Sequence, residues 1–111
     1  MIDLTAAILS RSATLVKERF GVPLTLLVWD DAALGQRLPA SARRTEKLLK
    51  RMESDNFKIV FVSEALRDVA IDERLIRYDG HPSAMANRAI ATALLETFAT
   101  DQDPESTAGN E

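Results

Sequence analysis

The chain has 111 residues, enough for one domain that buries roughly two-thirds of its unfolded surface. Its 46% apolar and 28% charged residues suit a globular protein, and a net charge of −3 provides no basic footprint for nucleic acid. With no cysteine and a single histidine, disulfides, thiolate metal sites and histidine-rich metal centres are all excluded. No cofactor is expected.

The start, Met1-Ile2-Asp3-Leu4, lacks a basic leader, and Ser10-Arg11-Ser12 interrupts the apolar residues that follow, unlike a signal peptide. Apolar runs such as Leu26–Trp29 fall far short of the ~20 residues a membrane span needs. The expectation is a soluble, cytoplasmic chain with no membrane partner.

Asp3 is placed to cap a first helix running to Phe20. Leu9, Ala13, Val16 and Phe20, at spacings 0, 4, 7 and 11, form its inner stripe. Gly21 and Pro23 stop it. Leu24-Thr25-Leu26-Leu27-Val28-Trp29 is short and nearly all apolar, the pattern of a strand covered on both faces in a parallel sheet. Asp30-Asp31 then stands at the strand's carboxyl end, where open α/β sheets place ligands.

Residues 32–40 read as a loop with a short helical turn. Ser41 is expected to cap a second helix to Ser54, with Thr45, Leu48, Leu49 and Met52 inside and Arg43, Arg44, Lys47, Lys50 and Arg51 on a solvated face. Lys58–Val62 is a second strand, β-branched and apolar. Ser63 is read as the cap of a short helix over Glu64–Ala70, and residues 71–77 as a mixed connector. The last helix runs from Ala84 to Phe98 and buries Ala86, Ala89, Ile90, Ala93, Leu94 and Phe98. From Thr100 the chain is acidic and lacks an apolar pattern, so residues 100–111 read as a disordered tail and residues 1–99 as the folded domain.

Between connector and last helix lies Tyr78-Asp79-Gly80-His81-Pro82-Ser83, the one place where an acid, the sole histidine and a helix start crowd together. Gly80 lets the backbone bend, and Ser83 can cap the helix behind it. An Asp two residues from a His can accept its Nδ1–H, fix the tautomer and leave Nε2 as a general base. Asp-Gly is also a common turn dipeptide, and a His before Pro commonly sits in a plain loop.

Asp79-Gly80-His81-Pro82-Ser83-Ala84, followed by Asn87-Arg88-Ala89-Ile90-Ala91 and Ala93-Leu94-Leu95, resembles the C-terminal signature of the SGNH hydrolases, the GDSL lipase/esterase superfamily. The close resemblance covers about the last thirty residues. It implies an α/β fold of three α/β/α layers, SGNH/flavodoxin-like, of which this chain carries the C-terminal half and a small parallel sheet. It implies catalytic roles for His81 as base and Asp79 as its orienting partner, and an ester or acyl substrate. The family's nucleophile sits in a Gly-Asp-Ser turn, with Gly and Asn donors for the oxyanion, and none of these stands in this sequence. The expected function is therefore the Asp–His segment of an ester hydrolase or acyltransferase, inactive until a nucleophile-bearing half completes it. The alternative is a catalytically inactive interaction domain or oligomerising remnant, so the expected partners are a missing half or further copies of the chain.

Asp30-Asp31 also resembles the acidic pair of response-regulator receiver domains, which need a phospho-accepting Asp after a later strand. Ser63-Glu64 occupies that position here. The two acids are accordingly read as a polar strand exit and a cap.

Overall fold

The computed structural model describes residues 2–36, 38–52 and 57–108, the last eight of these by backbone alone. Helix α1 (Ile2–Phe20) leads into β1 (Leu24–Val28), a 3₁₀ turn (Asp31–Leu34) and helix α2 (Pro39–Arg51). Strand β2 (Phe57–Phe61), the short α3 (Val62–Ala65), a second 3₁₀ turn (Ile71–Glu73) and the long α4 (Ala84–Ala108) complete the order. The fold is mixed α/β.

The apolar run does form a parallel strand. β1 pairs with β2 in register from Leu24 against Phe57 to Val28 against Phe61, and the sheet has two strands among the described residues. α1 packs on both α2 and β1. Ala6, Ala13 and Met52 are the fully buried residues of that side. Alanines bring helices close but remove little area from water, so this layer is thinly stabilised.

The tighter core lies elsewhere. Ala33, Val62, Leu66, Val69, Ala86 and Ile90 form one buried cluster joining the first 3₁₀ turn, α3 and α4. Gly35 ends that 3₁₀ turn at φ 71°, and a Cβ there would meet Ile71 Cδ1 at 3.0 Å. Only glycine meets both demands.

Several expectations change. Phe20 and Phe98, assigned to buried stripes, are both exposed. α2 begins at Pro39 rather than after Ser41: proline's fixed φ suits the first helical position, and Leu38 is the N-cap without a side-chain bond. Ser54 lies outside the described residues. Val62 starts α3 instead of ending β2, so Ser63 sits inside the helix and is not its cap. The helical backbone of α4 continues past Phe98 to Ala108. Residues 109–111 lie outside the described residues. No described helix is long and apolar enough to cross a membrane.

Candidate functional site

The Asp–His loop is a closed structure built from its base upward. Ser83 N–H donates to Arg74 O at 2.9 Å, and the Ser83 hydroxyl donates to Glu73 O at 2.6 Å. The same hydroxyl accepts Ala86 N–H at 3.1 Å, capping α4 as its sequence position predicts. Leu75 and Pro82 face each other in an antiparallel bridge, and Ile76 N–H donates to His81 O at 2.7 Å. Asp79 N–H returns to Ile76 O at 3.1 Å.

Two left-handed residues turn the chain at the tip: Tyr78 at φ 66° and Gly80 at φ 78°. Glycine takes this conformation freely, whereas for tyrosine it costs about 1–2 kcal/mol. The Tyr78 ring is partly held by the Arg77 guanidinium, 5.1 Å from its centroid.

This turn brings the two sequence-predicted site residues together. His81 Nδ1 lies 2.9 Å from Asp79 Oδ1, within hydrogen-bond distance. With Nδ1–H as the donor, Nε2 is the free ring nitrogen and makes no hydrogen bond among the described residues. The side chains remain open, His81 being 76% and Asp79 52% exposed. An exposed pair orients a proton acceptor but does not exclude water, which limits its electrostatic effect.

Arg74 fixes this loop to the rest of the molecule. Only 8% exposed, it donates from Nε to Val69 O at 2.9 Å, from Nη2 to Leu66 O at 2.9 Å, and from Nη1 to Ala33 O at 2.9 Å and Ala32 O at 3.2 Å. These carbonyls belong to the segments that follow β1 and β2. The loop is thus rooted at the carboxyl ends of both strands, where α/β folds assemble ligand sites. Sequence reasoning placed Arg74 in a featureless connector, and no periodicity or motif marks it out.

At the same end of the sheet a groove of about 520 Å³ opens between the strand ends and α2, lined by Trp29, Asp30, Leu38, Thr45, Leu49 and Phe61. Asp79 and His81 do not line it. Asp30 is committed elsewhere, since its Oδ1 accepts Ser63 N–H at 2.9 Å and so caps α3 from the neighbouring strand end. Asp30 stands at the N-cap of the 3₁₀ turn after β1, as a strand exit, but makes no side-chain bond to that turn; the helix its side chain caps is the one after β2. No cluster of three or more His, Asp or Glu side chains suited to a metal ion occurs among the described residues.

No serine within the loop is free to act as nucleophile. Ser83, the nearest in sequence, uses its hydroxyl as both donor and acceptor in the helix cap. No protein-family model, curated protein or solved structure matches the chain.

Proposed function

We propose that this chain supplies the acid–base pair of an SGNH-type ester hydrolase or acyltransferase, as the C-terminal half of a three-layer α/β/α fold. The observation that carries the reading is the 2.9 Å contact between Asp79 and His81 in a loop closed by Ser83 and rooted by Arg74. His81 Nε2 would accept a serine proton during attack on the acyl carbon and return it to the leaving alcohol. Asp79 holds the tautomer and balances the imidazolium that forms. Serine and oxyanion donors come from another polypeptide segment, and the two-stranded sheet is the part of the larger sheet that this chain contributes.

The test is hydrolysis of p-nitrophenyl acetate by this chain combined with a segment bearing the Gly-Asp-Ser turn and the Gly and Asn donors. Turnover is expected, falling by about 10²–10⁴-fold with His81→Ala, the usual contribution of a positioned base. Turnover unaffected by that substitution would sink the assignment.

A second reading, a non-catalytic interaction domain, is favoured by the sheet itself: none of its ten residues is fully buried.

A further inference from the structure

The groove at the carboxyl ends of the two strands takes no part in the acid–base chemistry, since neither Asp79 nor His81 lines it. At about 520 Å³ it has the size of a small-molecule site, for which about 300–1,000 Å³ is usual. Its walls are mainly apolar, with the Trp29 indole and the Phe61 ring from the strand ends and Leu38 and Leu49 from the side of α2. Trp29, Asp30 and Asp31 follow the last paired residue of β1, so this wall lies past the sheet's hydrogen-bonded register and not along its free edge. The indole is 41% exposed.

Two half-buried carboxylates, Asp30 and Asp31, share the lining. Asp30 Oδ1 accepts Ser63 N–H, which fixes that carboxylate, while Asp30 Oδ2 and both side-chain oxygens of Asp31 have no partner among the described residues. The other two charges at the groove balance each other, Lys50 pairing with Glu46 on α2 at 3.3 Å. An apolar trough beside two uncompensated negative charges favours a cation with an apolar body. An indole face is also the best aromatic surface for a cation. A bare metal ion would need a third ligand, and no cluster of three suitable side chains occurs among the described residues.

We propose that this groove binds a small aromatic ammonium compound, with its ring against Trp29, Phe61 and Leu49 and its ammonium group on the carboxylates of Asp30 and Asp31. Asp31 provides the firmer hold, because neither of its oxygens is engaged, and Asp30 adds its Oδ2. A neutral compound of the same shape gains the apolar contact alone, and an anion meets two like charges. This inference goes beyond the ester chemistry and holds whether or not that reading survives.

The test titrates the full chain with phenethylamine, protonated at neutral pH, and follows emission from Trp29, its sole tryptophan. The neutral 2-phenylethanol and the anionic phenylacetate serve as counterparts of similar shape. Saturation is expected below about 1 mM for phenethylamine, with both counterparts at least tenfold weaker, the usual effect of a hydrogen bond to a charged group. Asp31→Asn should weaken phenethylamine about tenfold and leave 2-phenylethanol unchanged. Ala42→Trp puts an indole into the groove from an exposed position of α2 and should abolish binding of both. Far-UV circular dichroism of each variant should match the parent. No saturation, equal affinity for the three compounds, or binding indifferent to Asp31→Asn would each overturn the proposal. Tighter binding of phenylacetate would also overturn it, and would mean that Arg37, between Gln36 and Leu38 in sequence, sets the charge of the site. Should a variant unfold, amide shifts of the parent decide: those caused by phenethylamine must centre on residues 29–32, Thr45 and Leu49, and shifts centred elsewhere overturn it.

Discussion

Arg74 carries five N–H donors and makes no ion pair among the described residues; it distributes them over the carbonyls of Ala32, Ala33, Leu66 and Val69. Ala32 O and Leu66 O also accept a backbone N–H, from Gly35 and Val69, so there the guanidinium adds a second bond, while at Ala33 O and Val69 O it satisfies acceptors at the ends of short turns. Arg74→Met keeps most of the side chain's length but removes the guanidinium from the Ala33 and Val69 carbonyls, at an expected cost of about 3 kcal/mol in urea unfolding. Arg74→Lys should recover less than half of this, because one ammonium cannot span so many acceptors. A loss below about 0.5 kcal/mol in Arg74→Met would show that water replaces the guanidinium without penalty. Asp79 and His81 were legible in the sequence because their pairing is local, set by two residues and the turn between them. Arg74 was not, since its partners lie up to 42 positions away and nothing nearby announces them.

At the scale of elements, the sequence conveyed helix and strand identity well and their ends poorly. β1 was readable as a continuous apolar run between Pro23 and Asp30, and α2 as a stripe of Leu48, Leu49 and Met52. Ends depend on partners from outside the element. α3 begins where Asp30, at the end of the neighbouring strand, receives Ser63 N–H. A cap supplied across 33 residues of sequence leaves no local signature. Asp30→Ala should therefore destabilise the protein by about 1 kcal/mol, the usual worth of a cap, and Asp30→Asn by less, since its amide oxygen can accept the same bond. Chemical denaturation of the two variants checks this, and equal losses would mean that charge rather than the hydrogen bond holds α3.

The whole molecule has two unequal halves, a consequence of where its large buried side chains fall. Leu66 and Val62 are fully buried and join Ile90, Val69, Ala33 and Ala86 around α3 and the start of α4. On the other side α1 and α2 meet through Ala6, Ala13 and Met52, with an ion pair between Asp3 and Arg51 whose side chains are largely solvated. Exposed pairs of that kind contribute about 0–1 kcal/mol. The stripe periodicity of α1 predicted an inner face but not its shallowness, because depth depends on what the neighbouring elements bring to meet it. Free energy of local opening follows buried apolar contact, so the α1–α2 layer should open without the α3–α4 core. Native-state hydrogen exchange at dilutions that leave the chain monomeric is the measurement. The amide of Ala13 should exchange through an opening at least about 1 kcal/mol less costly than that of Ile90. Equal values would mean that the sheet couples the halves into one cooperative unit, despite having no fully buried residue of its own.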